Sequence, residues 1–158
     1  MSKIVVFLFS ALSAAFVLWI GAGMPEWVAS HFGPPGEPDG HISRGSFVTT
    51  MAAMAAGLPL AAWFLLRARP AGPPKIPAAG LWRAPAASSR RAVGDARAAA
   101  LCVALGALLD FVAWRVGVAN QQPGADHLSN APMWAGLAAF LVFVAAWSFD
   151  HLRARRRS

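Results

Sequence analysis

Charged side chains are scarce in this sequence, and cysteine is almost missing. Asp, Glu, Lys and Arg together make up 13% of the 158 residues, whereas soluble domains carry roughly 25%. Cys102 is the only cysteine, which excludes a disulfide within the chain and a zinc site built from several thiolates. Apolar residues account for 57% of the sequence. That share exceeds what one small soluble domain can bury, so lipid is the expected solvent.

Familiar catalytic templates are also missing from the sequence. It contains no Gly-x-Ser-x-Gly elbow, no phosphate-binding Gly-x4-Gly-Lys-Ser/Thr loop and no His-Glu-x-x-His pair. Ser88 and Ser89 have no His or Asp beside them that would act as a base. These absences disfavour an enzyme, and we expect no cofactor.

Four apolar stretches are each long enough for a helix that crosses a hydrocarbon core of about 30 Å. They cover residues 4–23, 47–66, 98–119 and 132–149. Backbone groups in hydrocarbon must find hydrogen-bond partners within their own segment, which predicts helices. Lys3 and the small residues at 21–23 also fit a cleaved signal peptide, but the first run is longer than a usual signal core. The sequence therefore predicts an all-α integral membrane protein with four spans.

Basic residues predict the orientation of these spans. One side of the membrane receives Lys3, then Arg67, Arg69, Lys75, Arg83, Arg90, Arg91 and Arg97, and finally Arg153, Arg155, Arg156 and Arg157. The other side receives Arg44, with Arg115 near its boundary. By the positive-inside rule, both termini and segment 68–97 are cytoplasmic, and loops 24–46 and 120–131 face outward. The expected location is a bacterial inner (cytoplasmic) membrane.

The positions of the basic residues also divide the chain into three segments and indicate its partners. We expect a two-helix unit at 1–67, a basic linker at 68–97 and a second helical pair at 98–158. Lys and Arg number 14 against 7 acidic residues, but they flank the apolar runs and form no patch for nucleic acid. Linker and tail should therefore contact anionic lipid.

Asp110 is a carboxylate within the third span. An ionised carboxylate at a span's centre costs about 2.5–3.5 kcal/mol on insertion scales. Arg115 lies on a different face of the same helix, so the expected partner is Ser13 or Thr50 from another span. The simpler interpretation is an interhelical hydrogen bond. The alternative is the coupling carboxylate of a small transporter, which would require the chain to oligomerise.

The loop from Met24 to Ser46 is the most distinctive segment. Its Glu37-Pro38-Asp39-Gly40 sequence predicts a type I turn. His31, Asp39 and His41 in this loop, with His127 in the other outer loop, could hold a zinc ion or a similar cation. Their spacing matches no recognised metal signature, so the simpler interpretation has Asp39 capping its turn and His31 anchoring the loop by hydrogen bonds.

The loop resembles the bacterial family called domain of unknown function 1648. The matching residues are Met24-Pro25, His31-Phe32 and Gly36-Glu37-Pro38-Asp39-Gly40. The resemblance implies that Pro25, His31, Phe32, Gly36, Pro38, Asp39 and Gly40 form a ligand or partner motif between two membrane helices. Ile76-Pro77 and Leu81-Trp82-Arg83-Ala84-Pro85 echo the family's linker, although its Asn and Tyr are absent. This chain would be a short, four-helix form.

The same module occurs in larger membrane proteins similar to the Sdp immunity protein, which protects a cell from its own peptide toxin. The resemblance thus implies immunity or signalling, with a peptide or protein partner at the outer loop. Three functions remain open: a non-enzymatic binding or accessory protein, a metal-binding protein or enzyme that uses the loop histidines, and a transporter component that uses Asp110.

Replacing Arg90, Arg91 and Arg97 by Gln should weaken the orientation bias, because these residues belong to the basic set that keeps segment 68–97 in the cytoplasm. Membrane insertion should persist, because the apolar runs are unchanged. Phosphatase fusions after each span measure the orientation. An unchanged fusion pattern would contradict the role given to this segment.

Overall fold

Four helices and one short hairpin make up the computed structural model, which describes residues 2–33, 36–67, 84–121 and 129–156. The helices are α1 (Ser2–Ala22), α2 (Arg44–Arg67), α3 (Ala84–Gln121) and α4 (Ala131–Arg156). Strands β1 (Trp27–Phe32) and β2 (Pro38–Ser43) lie between α1 and α2 and pair antiparallel. All four helices are long and apolar enough to cross a membrane. The helical prediction is confirmed to that extent, but the all-α prediction missed the two-stranded sheet.

The second half of the predicted linker is helical. Helix α3 begins at Ala84 and has 38 residues, so at 1.5 Å per residue it is about 57 Å long, well beyond a bilayer core. Residues 84–97 therefore continue the third span as helix. Alanine is frequent in this stretch and favours helix, and Pro85 falls in the first turn, where a proline is tolerated. Residues 68–83 lie outside the described part of the chain.

Helices α1, α2 and α3 form a three-helix core. Its buried side chains fall in three clusters, around Trp63 at one end, Ala55 in the middle and Val28 at the other end. We call the end that carries β1 and β2 the hairpin end. The opposite end is the basic end, where Arg67 forms an ion pair with Asp95 at 3.3 Å.

Helices α1 and α3 run parallel in a fixed register. Phe9 contacts Gly106, Ser13 is hydrogen-bonded to Asp110, and Ile20 contacts Gly117. In the hydrogen-bonded pair the two residues are 97 apart in sequence, and the other two pairs have the same separation. The contacts thus recur along one face of each helix, and this face sets the position of α3 relative to α1.

Helix α4 lies outside this core. Among the described helices and strands it packs only against α3, and none of its apolar segment is fully buried. Gly136 lies against the ring of Phe111. At the basic end, Arg97 is 2.7 Å from Asp150 and its carbonyl accepts a 2.8 Å hydrogen bond from the Trp147 indole. These contacts make α4 an antiparallel neighbour of α3 alone.

Substituting Gly117 with Ala should lower the free energy of unfolding by about 1–3 kcal/mol, the usual range for overpacking. An added Cβ would overlap a methyl group of Ile20, and this buried, β-branched side chain has little rotamer freedom in a helix. SDS-induced unfolding in mixed micelles measures the change. Gly57→Ala is the matched control, because its Cβ would meet open space. Equal effects of the two substitutions would contradict the proposed packing.

Candidate functional site

The hairpin reverses direction earlier than the sequence predicted. Gly36 N donates to the carbonyl of Gly33 at 2.8 Å, and Gly33 N donates to the carbonyl of Glu37 at 2.9 Å. Gly36 has φ 91°, a conformation that favours glycine. The predicted type I turn at 37–40 is therefore wrong, because Pro38 already begins β2, a position where a strand tolerates proline.

His31 and Asp39 face each other across the hairpin. His31 Nδ1 and Asp39 Oδ1 are within hydrogen-bond contact, and the two side chains are 75% and 52% exposed. The sequence analysis expected Asp39 to cap its own turn. In the structure Asp39 instead holds the His31 imidazole. His41 lies opposite Ala29, and His127 lies outside the described residues. Within the described ranges no group of three His, Cys, Asp or Glu side chains could hold a metal ion.

The other motif residues surround this pair. Pro25 lies in the connection between α1 and β1, and Gly40 is the strand partner of His31. Phe32 packs, partly buried, against the cluster at the hairpin end. The sequence motif therefore corresponds to one continuous structural unit, the hairpin with its approach from α1.

Asn120, near the end of α3, fixes the hairpin to the bundle. Its Oδ1 accepts a 2.7 Å hydrogen bond from the N–H of Ala29, and its Nδ2 donates to the carbonyl of the same residue at 3.0 Å. The side-chain amide thus occupies the edge of β1 as a neighbouring strand would. Val28, the preceding residue, is completely buried and adds about 1.5–3 kcal/mol if its whole side chain leaves water.

Three further polar contacts secure this end of the bundle. Asn130 Nδ2, just before α4, donates to the carbonyl of Gly33 at 3.1 Å. Gln121 Nε2 donates to the carbonyl of Ile20, and Arg44 to that of Met24, each at 3.1 Å. Sequence reasoning missed the structural role of the two asparagines. The sequence did carry one signal for them: each asparagine lies at an end of an apolar run, where its side-chain amide can stay near water at little cost.

A cleft of about 610 Å³ lies between the hairpin, α3 and α4. We call the end next to the hairpin, lined by Ser30, His31 and Asn130, its mouth, and the end farthest from the hairpin, lined by Leu108, Leu109 and Leu137, its floor. Between mouth and floor the walls are mainly apolar and aromatic, with Phe32, Phe111, Val112, Val116, Met133 and Trp134. A mainly apolar cavity with polar groups at one end is typical of a small-molecule site.

Asp110 lies at the depth of the cleft floor but faces the three-helix core. The hydroxyl of Ser13, 2% exposed, donates to Asp110 Oδ2 at 2.7 Å. One of the two predicted partners is thus confirmed, whereas Thr50 is exposed. Arg115 does not pair with Asp110 and donates to the carbonyl of Ser129 at 3.0 Å, as its different helix face predicted. The bond from Ser13 links α1 to α3.

The basic end combines ion pairs with aromatic contacts. The Arg67 guanidinium, which pairs with Asp95, lies 5.0 Å from the centre of the Trp63 ring. His151 stacks on Trp147 with ring centres 5.1 Å apart. Partly exposed pairs of this kind add little stability each. The Arg67–Asp95 pair joins α2 to α3, whereas each of the two aromatic contacts lies within one helix.

A scan against protein-family models and searches of curated proteins and solved structures find no match to this chain. The structure itself defines a class: a helical bundle whose four helices have the length and composition of membrane spans, with a hairpin docked at one end. Arguments about function rest on the cleft, the His31–Asp39 pair and the Ser13–Asp110 bond.

Substituting Asn120 with Ala should loosen the hairpin. Two hydrogen bonds to Ala29 are lost, together about 1–3 kcal/mol, so the β1 amides should exchange roughly five- to a hundredfold faster. Hydrogen–deuterium exchange of a peptide covering residues 27–32 measures this. Gln121→Ala serves as the control, because Gln121 bonds to α1 and not to the hairpin. If both variants exchanged like the wild type, Asn120 would not hold β1.

Proposed function

We propose that the chain is a non-enzymatic binding protein of a bacterial cytoplasmic membrane, with both termini in the cytosol and the hairpin outside. Its ligand binds in the cleft between the hairpin, α3 and α4. The orientation is supported by the distribution of basic residues. On this proposal the basic segment 68–97 and the tail contact anionic lipid, at about 1 kcal/mol per basic residue near the surface.

The cleft is the observation that carries this proposal. Its volume of about 610 Å³ lies within the range of roughly 300–1,000 Å³ that small-molecule pockets occupy. The hairpin contributes to its mouth through Ser30 and His31, and the hairpin is held there by Asn120 and Asn130. A hairpin fixed over a cavity supports recognition of a ligand at the outer surface.

The family resemblance supports the same function. On this proposal the chain is a short member of the domain of unknown function 1648 family, and its process is immunity or signalling. The motif residues from Pro25 to Gly40 all belong to the hairpin or to its approach from α1. A peptide or protein partner would meet this unit, of which His31 and Asp39 are the exposed polar part.

Transport through Asp110 is the second candidate. It is favoured by one observation: Asp110 Oδ1 and the Ser10 hydroxyl are buried without a partner among the described residues. The bond from Ser13 to the other carboxyl oxygen supports a packing role instead. A metal-dependent function is less well supported, because the His31–Asp39 pair has no third ligand within the described ranges.

Filling the cleft should abolish ligand retention. Leu137→Trp places a large side chain at the floor, whereas Leu141→Trp, one turn further along α4 and 56% exposed, should leave the cleft open. Native mass spectrometry of protein released from membranes should detect a bound molecule in the wild type and in the control variant, but not in Leu137→Trp. Equal retention by both variants would refute binding in the cleft.

A further inference from the structure

We propose that the cleft holds the single hydrocarbon chain of an amphiphile that reaches it from the bilayer, with the polar head at the hairpin. The inference rests on the proposed binding function and names the chemical class of the ligand. It follows from the polarity of the walls, from the side on which the cleft opens and from its volume.

The walls change in polarity along the cleft. Along α3 it extends from Leu108 to Val116, a rise of about 12 Å. The polar side chains that line it belong to Ser30, His31 and Asn130 at the mouth. Each unpaired peptide N–H or C=O costs several kcal/mol in hydrocarbon. A peptide backbone would therefore leave its polar groups unpaired at the floor, whereas a hydrocarbon chain has none to pair.

The cleft opens on the flank of the bundle as well as at the hairpin. Helix α4 packs against α3 alone among the described elements. Leu137 at the floor is 37% exposed, and Trp134 in the wall is 68% exposed. Both residues belong to a helix with the length and composition of a membrane span, so this flank faces lipid. A ligand dissolved in the bilayer can reach the cleft without crossing water.

The volume limits the ligand to one chain. About 610 Å³ corresponds to a pocket for one drug-sized molecule, and the contact of Gly136 with Phe111 narrows the space between α3 and α4. At the mouth, the exposed His31–Asp39 pair offers hydrogen-bond donors and acceptors to a head group. A single-chain lipid whose head group can form hydrogen bonds meets both conditions, and the hydroxyl-bearing head of a monoacylglycerol is one example.

Photo-crosslinking in lipid nanodiscs tests this assignment. Two monoacylglycerol probes carry a diazirine, one at the end of the chain and the other beside the ester. The first should label Leu108 and Leu137, and the second residues 30–33. Leu12 and Leu141, which are 67% and 56% exposed, report ordinary boundary lipid. One or two hydrogen bonds at the mouth should enrich labelling of the cleft about two- to a hundredfold over these positions.

Variants distinguish labelling by a ligand in the cleft from labelling by lipid of the surrounding bilayer. Leu137→Trp should remove labelling at Leu108 while Leu12 is labelled as before, and Leu141→Trp should change neither. His31→Ala should reduce labelling of the cleft to the boundary level, whereas Trp27→Ala, at an exposed position of the same strand, should not. Labelling at Leu12 also shows that each variant is still inserted in the membrane, and labelling of the cleft in Leu141→Trp shows that a Trp on α4 does not by itself disrupt the bundle.

Equal labelling of the cleft and of boundary positions would overturn the assignment. Failure of the amphiphile assignment can be distinguished from failure of the proposed binding function. If native mass spectrometry finds a molecule that depends on Leu137 but is a peptide, the binding function stands and the amphiphile is wrong. If no molecule depends on Leu137, both proposals are wrong.

Discussion

The paired hydrogen bonds between the Asn120 side chain and the backbone of Ala29 hold the hairpin on the helices. Because both bonds use one residue of β1, the N–H and C=O of Ala29 must point away from β2. A strand edge left open in this position would leave the N–H and C=O of Ala29 without a partner in the protein. The amide closes that edge. With β1 fixed, its continuation from Ser30 to Gly33 lies over the gap between α3 and α4 and completes the cleft.

Asn120 can reach the hairpin only because α3 lies in one register against α1. The Ser13–Asp110 hydrogen bond makes this register specific. A slip by one turn, about 5.4 Å, would break this hydrogen bond, at a cost of about 1–3 kcal/mol or more where no other hydroxyl reaches the carboxyl group. Gly106 and Gly117 reinforce the register, since larger side chains would overlap Phe9 and Ile20. The Ser13–Asp110 pair, deep in the bundle, therefore positions the Asn120 amide near the hairpin end.

The sequence predicted what depends on local pattern. Four apolar runs gave four helices, and Asp110 in mid-span required a partner that Ser13 supplies. The start of α3 was misplaced because the prediction followed apolarity, whereas Ala84 to Arg97 is helical through propensity. Asn120 and Ala29 are 91 residues apart, and no local pattern identifies Ala29 as the partner of the Asn120 amide.

Packing of the spans was equally hard to predict. The sequence shows small-residue pairs at Ala53 and Gly57 and at Ala135 and Ala139, the usual mark of helix contacts in membranes, yet all four residues are exposed. Lipid tails are as apolar as leucine, so an apolar face looks the same whether it meets lipid or protein. For this reason the position of α4 outside the core could not be read from its composition.

The similar polarity of lipid tails and apolar side chains also affects how the cleft would select the proposed ligand. A chain that moves from the bilayer into the cleft exchanges one hydrocarbon environment for another, so apolar burial alone gives it little affinity. Widening the cleft is equally inexpensive, because α4 has no fully buried side chain in its apolar segment and lipid can replace lost contacts. Discrimination between one amphiphile and bulk lipid must therefore come from the polar mouth. His31, held by Asp39 and supported on a strand that Asn120 fixes, is the exposed group at the mouth that can recognise a head group.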